Sequence, residues 1–236
     1  ALTISGTNLT IEVYPKEYNA TNVTWFDSES FEVRVNVSNV GEGDAKANIT
    51  VDLPERWEAN STLEECGVLG PNESCVRSFL ITVANGTGSG YYLVNFSVEW
   101  ENLDKSVDEN ETFVNVSVKS NPRLEVVEEY LEGKVHHGTK QSVGNITLRS
   151  VGNDPVKGIE FKVIGLEGFE VEFIPNVSEM EAGEILSVQI NVGVPLGKDP
   201  GNYSGIVNVS SENDGFDWFR LDIVVPVNRS WDMSPK

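Results

Sequence analysis

Apolar and polar residues alternate along this chain with a period of two. In FEVRVNV, Phe31, Val33, Val35 and Val37 share one phase while Glu32, Arg34 and Asn36 share the other. YLVNFSVEW repeats the pattern, with Tyr92, Val94, Phe96, Val98 and Trp100 set against Leu93, Asn95, Ser97 and Glu99. FVNVSV carries it through Val114, Val116 and Val118, and GNITLRSV through Ile146 and Leu148. Such runs, bounded by turn residues, predict half-buried strands of antiparallel sheets with one wet face, and almost nothing has a helical period.

Strands are expected near Leu9–Tyr14, Ser30–Val40, Ala45–Leu53, Val76–Val83, Gly90–Glu101 and Glu111–Lys119. A second series is expected near Leu124–Glu129, Gln141–Val151, Lys157–Val163, Phe169–Phe173, Ile185–Val194, Gly201–Ser210 and Phe216–Val225. The two series are copies of one plan. VRVNVSNVGEGDAKANITVDLP corresponds to GNITLRSVGNDPVKGIEFKVIG, and SGYYLVNFSVEWEN to PGNYSGIVNVSSEN. Asn121-Pro122 breaks the ladder between them. The expected architecture is all-β, with two tandem Ig-like antiparallel β-sandwich domains at 1–120 and 121–236. The first carries an N-terminal strand segment and the second a short C-terminal tail.

The polar phase of these strands is crowded with Asn-x-Ser/Thr. The chain holds 22 Asn, and 16 of them open this pattern: Asn8, Asn19, Asn22, Asn36, Asn48, Asn60, Asn72, Asn85, Asn95, Asn110, Asn115, Asn145, Asn176, Asn202, Asn208 and Asn228. Random placement of the Ser and Thr would give roughly 3 such acceptors. Asn36, Asn48, Asn95, Asn115, Asn145 and Asn208 all fall on the phase that faces water, where a glycan can be attached. The pattern predicts a heavily N-glycosylated protein at the outside of a cell.

Cys66 and Cys75 are the two cysteines, and Gly67, Gly70 and Pro71 between them allow the chain to turn back. A disulfide fits this spacing and an oxidising compartment. Two free buried thiols, or half a metal site, are the other readings; the second lacks partners, since His136 and His137 are the only histidines. The net charge of −20 disfavours nucleic acid and anionic membranes as partners. No apolar run approaches the length of a spanning helix. No signal pattern opens the sequence, so Ala1 is expected to be a processed or trimmed terminus.

The unit of strand, Asn-x-Gly (Asn39 to Gly41), acidic turn and second strand, with Gly-x-Tyr opening a later strand, resembles the Ig-like repeats of archaeal surface-layer-type proteins. It is similar also to cell-adhesion-related (CARDB) domains and to NPCBM-associated modules. The resemblance covers nearly the whole chain and implies a non-catalytic extracellular module used for adhesion, spacing or envelope assembly. It supplies no functional residues, and the Cys66–Cys75 loop is not part of its pattern.

No nucleophile elbow, zincin motif, phosphate loop or dinucleotide fingerprint occurs, so no enzyme is expected. Glu212, Asn213, Asp214 and Asp217 offer oxygens in a Gly-containing turn, and Asp104, Asp108, Glu109 and Glu111 form a second acidic cluster. Calcium is the metal such loops would take, although neither has an EF-hand spacing and a solvated hairpin turn explains each. Trp25, Trp57, Trp100, Trp218 and Trp231 could line a carbohydrate platform; Trp100 falls on the inward phase of its strand, and Trp25 and Trp231 are the least easily placed in a core.

Two functions fit these features. One is a structural or adhesive surface protein whose partners are itself or other cell-surface proteins. In its filament or lattice variant, the Ala1–Thr10 strand, left without a pairing demand in its own domain, completes a neighbour's sheet. The alternative is a carbohydrate-binding or spacer module of a larger secreted enzyme.

Overall fold

The structure, a computed structural model, describes residues 6–102 and 105–227. The chain divides into two compact units between Asn121 and Pro122. Every regular element among the described residues is a strand.

The first unit contains β1 (Leu9–Tyr14), β2 (Glu17–Ala20), β3 (Glu29–Asn39), β4 (Ala45–Asp52), β5 (Glu58–Ala59), β6 (Leu63–Leu69), β7 (Ser74–Val83), β8 (Gly90–Glu101) and β9 (Val107–Val118). They form two sheets, β1-β3-β7-β5 and β2-β9-β8-β4-β6. The apolar phases meet between the sheets: Val33, Val35, Phe79 and Ile81 from one face Val94, Phe96, Val98, Val114 and Val116 from the other, all fully buried. Phe79 and Phe96 pack edge to face across the layer, with ring centroids 5.3 Å apart.

The second unit contains β10 (Leu124–Val126), β11 (Tyr130–Lys134), β12 (Lys140–Ser150), β13 (Val156–Lys157), β14 (Glu160–Ile164), β15 (Glu170–Ile174), β16 (Glu179–Met180), β17 (Ile185–Gly193), β18 (Gly201–Ser210) and β19 (Phe216–Val225). Its sheets are β10-β12-β17-β15 and β11-β19-β18-β14, with a two-stranded β13-β16 pair beside them. Ile146, Leu148, Val188 and Ile190 close its core against Val207, Phe219, Leu221 and Ile223.

Both units open in the same way. The first strand pairs antiparallel within one sheet (β1 with β3, β10 with β12). The chain then crosses to the other sheet and runs parallel to the domain's last strand, β2 to β9 and β11 to β19.

The N-terminal strand differs from the expectation that it lacks a partner at home. Leu9 to Tyr14 pair residue by residue with Asn39 to Arg34, burying Leu9, Ile11 and Val13. Asn8 O accepts from Val40 N at 2.8 Å, and Thr7 Oγ1 accepts from Trp100 Nε1 at 3.2 Å. The backbone from Gly6 to Asn8 passes so close to Gly41 that a Cβ there would lie 2.6 Å from Asn8 N and Gly6 O. From Gly6 onward the segment expected to add to a neighbour's sheet is therefore consumed within its own sandwich; Ala1 to Ser5 lie outside the described residues.

Strand β6 also departs from expectation, because the Cys66–Cys75 stretch is more than a turn. Ala47 pairs with Gly67 and Asn48 with Glu65, so Cys66 is the extra residue of a β-bulge, followed by Gly67 at φ 73°. The bulge breaks the two-residue period and re-aims Cys66 toward the other sheet. There it forms a disulfide with Cys75 of β7. The bridge ties the edge of one sheet to the interior of the other.

Candidate functional site

The outward faces of the sheets and the loops between strands carry the acceptor asparagines. Of the 15 Asn-x-Ser/Thr asparagines among the described residues, 12 are exposed, Asn36, Asn48 and Asn208 are half-buried, and none is buried. Asn228 lies outside the described residues. The six asparagines without the pattern behave differently: Asn39 and Asn153 are buried and only Asn213 is exposed. The six acceptors assigned to the outward phase of strands all lie there, each next to buried core residues such as Val94 and Phe96 around Asn95, or Val207 and Val209 around Asn208. Some acceptor amides have protein partners: Asn85 Nδ2 donates to Trp25 O at 3.0 Å and Asn110 Nδ2 to Leu9 O at 3.1 Å. Asn60 instead accepts from Leu80 N through Oδ1, which leaves its Nδ2 directed away from that bond.

Exposed aromatics share these faces. On β19, Phe219, Leu221 and Ile223 point inward, so Phe216, Trp218 and Arg220 point outward. The Arg220 guanidinium carbon lies 5.9 Å from the centre of the Tyr130 ring on β11, and its Nη2 pairs with Asp222 at 2.8 Å. That Arg220 contact holds the Asp222 carboxyl below the usual carboxylate range. Hydrogen bonding to Glu132 pushes the Tyr130 hydroxyl up to about 12. Trp218 is one of the five tryptophans the sequence offers for a carbohydrate platform, and the alternation in FDWFRLDI contains its outward orientation.

The two tryptophans least easily placed in a core are situated differently. Trp25 is 37% exposed, and its ring lies against Gly86, where a Cβ would approach it to 3.2 Å. It caps the 84–87 turn rather than standing free. Trp231 lies outside the described residues. Trp100 and Trp57 are core, the latter with its ring 5.2 Å from Tyr92.

The acidic turn expected to suit calcium has other uses for its oxygens. Asp214 Oδ2 accepts from Leu124 N at 2.6 Å, Asp217 Oδ2 from Val126 N at 2.8 Å, and Asn213 Oδ1 from Lys157 N at 2.9 Å. These bonds pin β10 and β13 to the β18–β19 hairpin; Glu212 stands exposed beside them. In the second cluster Asp108 accepts from Asn102 at 2.7 Å, Glu109 and Glu111 are exposed, and Asp104 lies outside the described residues. Among the described residues no three His, Cys, Asp or Glu side chains gather as a metal site. His136 and His137 lie in the turn between β11 and β12.

A groove bounded by Thr139, Lys140, Glu170 and Leu196 holds the Lys140 ammonium 2.7 Å from Glu170 and 3.1 Å from Glu172. Glu170, then Glu172, raise the Lys140 pKa, the opposite of what a nucleophilic amine requires. Among the described residues no helix is long and apolar enough to cross a membrane.

Comparison with known proteins finds a family model that is similar to part of the chain. Residues 28–101, from just before β3 to the end of β8, match the family model of the NPCBM-associated, NEW3 domain of alpha-galactosidase. Of the families the sequence resembles, this one is matched; the surface-layer and CARDB parts of the resemblance gain no identification. No curated protein matches the chain. Among solved structures, a protein of unknown function from Porphyromonas gingivalis W83 is 13% identical at a TM-score of 0.33, over 91% of this chain and 99% of that one. A family 123 glycoside hydrolase from Clostridium perfringens is 14% identical at a TM-score of 0.34, over 43% of this chain and 24% of that one. The human Desmocollin-1 ectodomain is 12% identical at a TM-score of 0.39, over 94% of this chain and 43% of that one.

Proposed function

We propose that this chain is an accessory, non-catalytic segment of a larger extracellular protein that acts on carbohydrate, in which two sandwiches space other parts and carry N-glycans on their outer faces. The observation that carries the reading is the separation of asparagines: acceptors outside, buried asparagines without the pattern. A generic preference of Asn for water would not sort the residues by what stands two positions later. The carbohydrate setting rests on the family match over residues 28–101. The Cys66–Cys75 bridge supports an oxidising, extracellular location. The home pairing of Leu9 to Tyr14 counts against a lattice or filament built by N-terminal strand addition over those residues.

Production in a host that modifies Asn-x-Ser/Thr tests the reading. An intact mass well above 25.9 kDa is expected; a mass equal to it would refute glycosylation. A glycan array then separates spacer from binder. The spacer reading expects no selective binding, and selective binding lost on Trp218→Ala would replace it with the carbohydrate-binding reading.

A further inference from the structure

The strand register places particular acceptors directly opposite particular exposed apolar side chains. On the β8–β9 hairpin, Asn95 pairs with Phe113 and the neighbouring rung pairs Leu93 with Asn115. On the β18–β19 hairpin, Asn208 pairs with Trp218. Phe113 and Trp218 are each 50% exposed and Leu93 is 51% exposed, all on the outward face. Both hairpins join the last two strands of a domain, so the acceptor and the aromatic recur in the same part of each sandwich. On their other sides Asn95 faces Asp52 and Asn208 faces Lys162; among the other outward acceptors Asn36 faces Glu12 and the exposed Val76, whereas Asn145 faces Gln189 and Asn48 faces Glu99 and Glu65, with no aromatic opposite.

Directly opposed side chains have Cβ atoms about 4.5–5.5 Å apart. A sugar bonded to Nδ2 begins at the end of the Asn side chain, and its first ring is about as wide as the gap to the next strand's side chain. That ring has one face made of C–H groups, which is flat and apolar, and an aromatic ring offers the matching flat surface. Covering it removes apolar area from water on both partners.

We infer that the N-glycans of Asn95 and Asn208 lie down on Phe113 and Trp218, which are docking rings for the chain's own sugars. The inference rests on the proposed glycosylation. It assigns an occupant to two aromatic surfaces that otherwise stand open, and it makes the first sugars at these positions ordered parts of the sheet face. On the first hairpin the two acceptors and two apolar residues alternate like a checkerboard, so the Asn115 sugar covers Leu93 by the same geometry.

The test uses the full chain from a glycosylating host. Glycopeptide mass spectrometry first establishes occupancy; bare Asn95 and Asn208 would overturn both the inference and the glycosylation on which it rests. With both occupied, thermal midpoints are compared for Asn95→Gln, Phe113→Thr and the double variant, and likewise for Asn208→Gln, Trp218→Thr and their double, with Asn145→Gln as the control. Loss of the sugar is expected to lower the midpoint when the aromatic is present, and to have only the Asn145→Gln effect when it is absent. Equal loss in both backgrounds overturns the docking while leaving glycosylation intact. Binding of free oligosaccharide at Trp218 of the fully glycosylated protein overturns it as well, since the ring would then be open.

Discussion

Replacing Asn39 with Ala should unfold the first domain far more easily than any exposed Asn substitution. Asn39 is 1% exposed and stands at the end of β3. Its Nδ2 donates to Gly43 O at 2.8 Å and to Leu69 O at 2.9 Å, and its Oδ1 accepts from Gly41 N at 2.9 Å. One side chain thus ties the turn after β3 to the end of β6. Three bonds at about 1 kcal/mol each give about 3 kcal/mol, and stranding three groups beyond the reach of water raises the cost toward about 5 kcal/mol. For a domain of this size that is a fall of about 10–20 °C in its midpoint. The second domain supplies the control. Ser150 occupies the equivalent place, with matching backbone bonds: Asn39 N and Ser150 N donate to Glu73 O and Glu184 O, while their carbonyls accept from Asn72 N and Gly183 N. Ser150 Oγ is buried and has no hydrogen-bond partner among the described residues, so Ser150→Ala should be neutral or slightly stabilising. Calorimetry of the full chain, with Trp57 and Trp100 fluorescence reporting the first domain's core, reads both variants. An Asn39→Ala protein that melts with the wild type, or a Ser150→Ala protein that loses as much, would refute the reasoning.

Three further outcomes are expected. Cys66→Ser with Cys75→Ser should destabilise the first domain by about 2–3 kcal/mol on loop-entropy grounds, read as a lower denaturant midpoint; an unchanged midpoint would count against the bridge. Burial, and then the hydrogen bond to Glu29 at 2.7 Å, push the Tyr18 hydroxyl up to about 12. Because the folded value is raised, the stability it contributes is complete below the ordinary tyrosine pKa near 10 and is lost as pH rises through about 12. Alkaline ultraviolet titration should show late-ionising tyrosines, and Glu29→Gln should bring Tyr18 part of the way back; no change on substitution would contradict the assignment. Asp217→Ala should cost about 1–2 kcal/mol by freeing Val126 N, seen as faster amide exchange at Val126, whereas a calcium-dependent midpoint would return those carboxylates to the role of ligands.

The long strands are legible in the sequence because their burial alternates residue by residue. Gly90–Glu101, Gly201–Ser210 and Phe216–Val225 can be bounded from pattern alone, and the same alternation places Asn95 and Asn208 outward. What escapes is set by contacts distant in sequence. Glu17–Ala20 is four residues long and shows no clear alternation; its partner is β9, almost a hundred residues away. Leu63–Leu69 hides its period behind the bulge at Cys66. The stretch expected as one strand from Lys157 splits at Gly158, whose φ of 63° ends β13 before β14 begins. The acidic turn looks like a cation loop because composition does not reveal that backbone N–H groups of β10 approach Asp214 and Asp217. Trp218 can be oriented from sequence, but its pairing with Asn208 depends on a hairpin register that no single strand contains.

The parallel pairing of β2 with β9, and of β11 with β19, fixes how each domain would meet tension. A pull applied at the two ends of a domain runs along these paired strands in opposite directions. Their hydrogen bonds are then loaded side by side, and the pair must slip as a whole instead of unzipping one rung at a time. Each sandwich is accordingly built to resist stretching at the place where its chain enters and leaves. In the first, the Cys66–Cys75 bond also shortens the length of chain that can be drawn out once that clamp has slipped.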